Sequence, residues 1–189
     1  MDLLPKRKRN RLKHFDYSQN SAYHITICVR DKSPILSSIA ADDITDDRTV
    51  ELTQIGKIVD KYINEIPKHY EHVNVADYVI MPNHIHLMLL IENPETLSGG
   101  RQVVAPTDQN NGGRQVAVHM ADNNDKKQSV KPTVSTIIMQ LKRNVSMELG
   151  KSIWQKSFYD HVIKDENDFE NTCIYIDENP IKWENDEYY

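Results

Sequence analysis

The sequence predicts a single domain that mixes strands and helices, and three observations predict it. A length of 189 residues suffices for one continuous core with arms to spare. Runs rich in β-branched and apolar residues at 21–29, 73–81 and 84–91 have the character of strands. Apolar residues recurring every three to four positions over 55–66, 134–149 and 166–179 mark helices with one buried face.

The chain opens on a basic arm, residues 1–14, in which Lys6, Arg7, Lys8, Arg9, Arg11 and Lys13 occur without an intervening acid. Such a run attracts phosphate, or simply keeps a tail solvated. In the strand that follows, Tyr23, Ile25 and Ile27 share one face, opposite His24, Thr26 and Cys28. His24 is a lone polar ring there, and a structural role is expected for it rather than metal ligation. Residues 31–48 hold Pro34 and the run Asp42-Asp43-Ile44-Thr45-Asp46-Asp47. They read as a surface hairpin or loop, because nothing fixes those acids in space. Ile55, Ile58, Val59, Tyr62, Ile63 and Ile66 give the clearest helix, which Pro67 is expected to end. Two strands then flank a break at Pro82-Asn83.

Over 92–131 the composition turns to Gly, Asn, Asp, Gln and Ser, and Gly99-Gly100-Arg101-Gln102-Val103 recurs as Gly112-Gly113-Arg114-Gln115-Val116. The unit is too short for a solenoid, so the segment reads as a low-complexity insertion. Thr133 or Ser135 then caps a helix with Val134, Ile137, Ile138, Leu141, Val145 and Leu149 on its apolar side, ending at Gly150. Its polar side carries Lys142 and Arg143, within a second basic group that includes Lys126, Lys127, Lys131, Lys151 and Lys156. Residues 153–163 are aromatic and extended, and Trp154, Phe158 and Tyr159 suit core packing better than base stacking. The last helix turns Phe169, Cys173 and Ile176 inward and stops before Pro180. Tyr175 and Asn179, four apart, share one of its flanks.

The net charge of −5 argues against a general polyanion binder. The basic arm and the second basic group contrast with an acidic final thirty residues, so only selected faces can meet DNA. Cys28 and Cys173 lack the spacing of metal knuckles or redox pairs and are expected to be reduced thiols. The chain has no apolar run of membrane-spanning length and its start lacks a secretory apolar stretch, so a cytoplasmic location is expected. No Gly-rich phosphate loop points to a nucleotide cofactor.

The chemistry concentrates in the run from Tyr78 to Ile91. Along a strand His84 and His86 project to one side, Ile85 and Leu87 to the other. Two imidazoles so placed can converge on one divalent cation, with a third ligand supplied from elsewhere. The same spacing also fits two hydrogen-bonded strand histidines, and these residues alone leave both possibilities open.

Four blocks carry a resemblance. They are the arm leading into Arg11-Leu12-Lys13-His14-Phe15-Asp16-Tyr17-Ser18, the run Val79-Ile80-Met81-Pro82-Asn83-His84-Ile85-His86, the block from Trp154-Gln155 to Tyr159-Asp160-His161, and the ending Tyr175-Ile176-Asp177-Glu178-Asn179-Pro180. In this order they resemble the single-tyrosine HUH transposases, specifically the REP-associated tyrosine transposase branch, over nearly the whole chain outside 92–131. The resemblance implies an α+β fold, a ferredoxin-like or RRM-like antiparallel sheet with helices packed on it and the catalytic tyrosine on the last helix. It implies His84 and His86 as metal ligands, Asn179 as a polar ligand and Tyr175 as the nucleophile.

The implied substrate is single-stranded DNA folded into an imperfect hairpin, cleaved beside the stem foot through a 5′-phosphotyrosine that leaves a free 3′-hydroxyl. Mixed nitrogen and oxygen ligation with open positions suits Mg²⁺ or Mn²⁺. Lys6, Arg7, Lys8, Arg9, Arg11, Lys13, Lys142 and Arg143 are the candidate DNA contacts. Both a monomer and a homodimer with an exchanged last helix are compatible with the resemblance. The insertion and the acidic tail depart from a compact family pattern. A noncatalytic hairpin-binding protein of the same fold is the main competing expectation, and a hydrolase using the two histidines alone is a third.

Overall fold

The computed structural model of the protein describes residues 21–41, 48–92 and 132–185. The arm residues Lys6, Arg7, Lys8, Arg9, Arg11 and Lys13, the acidic run 42–47 and the repeated segment at 99–116 lie outside the described residues.

Among the described residues, six strands and three α-helices follow in the order β1 (Ser21–Cys28), β2 (Ser37–Ala41), β3 (Arg48–Leu52), α1 (Gln54–His69), β4 (Val73–Ile80), β5 (His84–Ile91), α2 (Val134–Glu148), β6 (Tyr159–Val162) and α3 (Glu166–Glu178). The main sheet is antiparallel with strand order β4-β5-β1-β6. With β2 and β3 set aside as a separate two-stranded ribbon, this is the β-α-β-β-α-β ferredoxin-like arrangement.

Alternation along the strands sorts the two faces of the sheet. Tyr23, Ile25, Ile27, Ile85, Leu87 and Leu89, all fully buried, pack with Val59 and Ile63 of α1 and with Ile137, Ile138 and Leu141 of α2. The opposite face is thinner: Ala22 and Met88 meet Ile163 and Ile176, with Phe169 and Cys173 against them. The helix α3 therefore covers the face that carries the even-numbered residues of β1 and β5. Cys28 is buried, Cys173 is half-buried, and both are free thiols.

Local chemistry explains the element boundaries. Thr53 caps α1 by accepting from the Gly56 N–H at 3.1 Å, and its hydroxyl also reaches the Ile35 carbonyl at 2.7 Å. Gly56 is required by a close approach, since a Cβ there would lie 2.0 Å from the Leu36 carbonyl oxygen. The helix α1 does not stop at Pro67 as the sequence suggests, but continues to His69. Pro67 sits on the exposed side of the last turn, and the Tyr70 N–H still reaches the Ile66 carbonyl at 3.0 Å, so the turn closes around one missing bond.

Thr133, rather than Ser135, caps α2, and Gly150 at φ 66° ends that helical segment. The extended stretch 153–163 is divided. Trp154 makes an isolated bridge to Val29, and only Tyr159–Val162 pairs as β6. Trp154 is buried, whereas Tyr159 is largely exposed. Among the described residues no helix is long and apolar enough to cross a membrane.

Candidate functional site

Strand register builds the site. Cys28 lies opposite His84, Thr26 opposite His86 and His24 opposite Met88, so His24, Thr26, His84 and His86 share the face beneath α3. His84 and His86 are buried, and their Nε2 atoms are 2.9 Å apart with the rings at 84°. His84 Nδ1 meets Asn83 Oδ1 at 2.8 Å. His86 Nδ1 faces His24 Nε2 at 3.0 Å and Thr26 Oγ1 at 3.2 Å.

A proton count limits what this arrangement can be. A neutral imidazole carries one N–H. The amide oxygen of Asn83 only accepts, so it fixes the His84 proton on Nδ1 and leaves a lone pair on Nε2. His86 Nε2 must then either donate an N–H to that lone pair or share a cation with it. In the first case His86 Nδ1 accepts from Thr26 or His24. In the second, His86 Nδ1–H donates to His24 Nε2. The 2.9 Å separation is that of a hydrogen bond and is also close to the ~3.0 Å between two nitrogens each about 2.1 Å from one octahedral ion, so the geometry fits both.

Burial keeps the rings neutral, as ligation requires. It lowers His84 to about 3, with Lys32 adding to the effect. His86 falls to about 2 through burial first and then through His84 and His24, against a hydrogen bond with the Asn179 side chain. His24 is lowered to about 4 by burial and by His161, while Asp168 opposes.

The second half of the site comes from α3. Asp165 caps that helix by accepting from the Asp168 N–H at 2.9 Å. Thr172 and Ile176 anchor its buried side, which leaves the Tyr175 flank over the histidines. Tyr175 is 40% exposed. It stands edge-on to His86 at 5.2 Å and to His24 at 5.7 Å between centroids. Asn179 is buried at the end of α3; its Nδ2 donates to the Tyr175 carbonyl at 2.6 Å, and its side chain also hydrogen-bonds His86. Trp183 places its ring 6.1 Å from His84.

Tyr175, His84, His86 and Asn179 thus meet within one chain. Among the described residues no three His, Cys, Asp or Glu side chains group to hold an ion. A bound cation would rest on the two imidazoles and the Asn179 amide, a donor set that leaves coordination positions open for a substrate oxygen.

Lys142 and Arg143 lie elsewhere, on α2. Lys142 Nζ donates to the Gln155 carbonyl at 3.1 Å and the Ser157 carbonyl at 2.6 Å, bracing that segment. Burial lowers its ammonium to about 8, with Cys28 opposing. Arg143 is exposed. The side of α3 facing β4 is acidic instead. Burial raises Asp77 to about 6, with Asp177 adding and the Tyr78 N–H opposing. The Cys173 thiol is raised to about 11, by burial first and then by Asp77, Asp177 and Glu170.

His24, Thr26 and Asn83 join the pair only in the fold: the sequence shows the shared parity of His24 and Thr26 on β1 but not their register against His86, and Asn83 looks there like part of a break between strands.

No protein-family model matches the sequence. An uncharacterized protein of Haemophilus influenzae (strain Rd) is 27% identical over 188 residues, spanning 97% of this chain and 93% of that protein. Among solved structures, that of a REP-associated tyrosine transposase bound to a REP hairpin superposes with a TM-score of 0.55 at 16% identity, covering 92% of this chain and 74% of the other. A candidate transposase from Deinococcus radiodurans R1 aligns with a TM-score of 0.39 at 13% identity, covering 89% of this chain and 95% of the other. The α+β fold, with its four-stranded antiparallel sheet and three helices, is therefore one that this chain shares with the REP-associated tyrosine transposase.

Proposed function

We propose that the protein is a DNA strand transferase that cleaves and rejoins single-stranded DNA at hairpin-forming repeats, using Tyr175 as nucleophile and a divalent metal held by His84, His86 and Asn179. The observation that carries this reading is the half-exposed Tyr175 ring 5.2 Å from His86, whose Nε2 lies 2.9 Å from that of His84. The hairpin-bound transposase of the same fold supports the choice of DNA.

In this reading the Tyr175 phenol loses its proton and its oxygen attacks the scissile phosphorus. The bond from phosphorus to the 3′-oxygen breaks, and that oxygen leaves as a hydroxyl once it takes up a proton. The phosphotyrosine retains a phosphodiester, so a free 3′-hydroxyl can reverse the step without ATP. When bound, Mg²⁺ or Mn²⁺ supplies positive charge to the phosphate oxygens, which otherwise repel the nucleophile. His24 and Asn83 hold the two ligand rings in orientation. The Asn179 bond to the Tyr175 carbonyl fixes the last turn of α3, which keeps the phenol above the imidazoles.

The test is incubation with single-stranded hairpin oligonucleotides and Mn²⁺, followed by denaturing electrophoresis. A covalent protein–DNA adduct is expected from the wild type and none from Tyr175→Phe. An adduct undiminished in Tyr175→Phe overturns the assignment of the nucleophile. Tight, metal-independent hairpin binding with no adduct on any substrate selects the noncatalytic binder instead.

A further inference from the structure

A cleft of about 840 Å³ opens where the end of β1, the second half of α2 and residues 152–156 meet. Arg30, Arg143 and Lys156 line it against one carboxylate, Asp31. None of the three cations enters an ion pair among the described residues. The buried indole of Trp154, also on its wall, finds no acceptor for its N–H among the described residues. The cleft thus carries more cationic than anionic side chains, the balance that suits phosphate oxygens. Lys142, tied to the Gln155 and Ser157 carbonyls, presets one wall.

The opposite wall is strained and is coupled to the histidines. Asp31 at φ 58° and Lys32 at φ 53° are consecutive non-glycine residues in the left-handed region, a conformation kept where surrounding structure enforces it. Asn83 supplies part of that enforcement, its Nδ2 donating to the Lys32 carbonyl at 3.3 Å. The same side chain accepts from His84 Nδ1 at 2.8 Å, and the Val29 N–H donates to the Asn83 carbonyl at 2.8 Å. One amide therefore joins the turn that follows the lining residues Arg30 and Asp31 to the imidazole pair.

We propose that this cleft binds backbone phosphates of the DNA strand that flanks the reacting phosphate, through Arg30, Arg143 and Lys156. The proposal rests on the strand-transfer reading above for its choice of ligand. A volume near the upper part of the ~300–1,000 Å³ range of ligand pockets has room for more than one phosphate. The acidic flank around Asp77, Asp177 and Glu170 repels a strand on the other side.

The test separates binding from chemistry. Affinity for single-stranded hairpin DNA is measured in chelator across a salt series for the wild type, for Arg30→Gln, Arg143→Gln and Lys156→Gln, and for the triple variant. Exposed Lys68 on α1, changed to Gln, serves as control. Each cleft substitution is expected to reduce the slope of log affinity against log salt by about 0.7, and the triple variant by about 2, with Lys68→Gln close to wild type. Wild-type slopes in all three single variants and in the triple overturn the proposal, even if the wild type still forms the Tyr175 adduct. Reduced slopes without any adduct uphold the cleft while removing the catalytic reading. Absence of DNA binding by the wild type overturns both.

Discussion

The ring of Tyr175 stands edge-on to that of His86, 5.2 Å away and inclined at 81°, although one residue belongs to the last helix and the other to a central strand. The contact brings an exposed phenol to a buried, neutral imidazole. It forms within one chain, at a residue that is 40% exposed.

Removing only the phenolic oxygen separates chemistry from folding. Tyr175→Phe should lower adduct formation on the order of 10³-fold or more. Because Tyr175 is 40% exposed, the variant's unfolding free energy should stay within ~0.5 kcal/mol of wild type. Denaturing gels and a thermal melt check the two halves.

Metal binding should appear as stability. Mn²⁺ at a hundredfold excess over its dissociation constant should add about 2.7 kcal/mol to the wild type. His86→Ala removes one of the two converging nitrogens and should abolish that increment. Differential scanning calorimetry with and without Mn²⁺ measures it, and an unchanged increment in His86→Ala would place the ion elsewhere.

His24 should act through His86. Its Nε2 is the acceptor that would hold His86 Nδ1–H when His86 Nε2 turns to a cation. Loss of such an orienting partner typically costs 10–100-fold in metal affinity or activity, so His24→Ala should fall in that range and His24→Gln should recover part of it. The readout is the Mn²⁺ concentration at half-maximal adduct formation, compared with the rate at saturating Mn²⁺.

Acid should unfold the protein through its buried imidazoles. In the unfolded chain a histidine protonates near 6.5, whereas in the fold His84 and His86 resist protonation until about 3 and about 2. Between those values the unfolded state binds more protons, so stability is full above pH 6.5 and declines as pH falls, by up to ~1.4 kcal/mol per pH unit per ring. Asp77 works the other way. Its carboxyl is raised to about 6, so its contribution is full below pH 4 and is lost as pH rises through 6, by ~1 kcal/mol after allowing for partial solvation. Urea melts of wild type and Asp77→Asn from pH 4 to pH 8 should show the variant gaining only at the upper end.

Gly56→Ala should destabilise despite the better helix propensity of alanine. Propensity favours the change by ~1 kcal/mol. A Cβ placed 2.0 Å from the Leu36 carbonyl oxygen, however, forces α1 off the chain it packs against, at a cost of ~1–3 kcal/mol or more. A melting temperature at or above wild type would show that the ribbon and α1 yield more easily than the geometry suggests.

Much of this was legible in the residues. The alternation in β5 put Ile85 and Leu87 in the core and both histidines on the other face. The apolar stripes of α1 and α2 lie where their periodicity placed them, and the four-residue spacing of Tyr175 and Asn179 put both on one flank of α3. Pro67 misled because a proline in an exposed last turn loses one hydrogen bond without breaking the helix. The extended block after α2 looks continuous in sequence but divides between the Trp154 bridge and β6, where Lys142 holds the Ser157 carbonyl.

Side-chain type and local periodicities of two and 3.6 indicate most of the inward faces, the charged stretches and the side chains capable of chemistry, although Tyr159 is exposed. Which distant side chains meet follows from the packed fold. The register of β1 on β5 set His24 and Thr26 against His86, Asn83 linked His84 to the strained turn at Lys32, and the docking of α3 carried Tyr175 to the imidazoles. Those meetings depend on long-range strand pairing and helix packing, whose geometry is a property of the whole core and is not written at any single position.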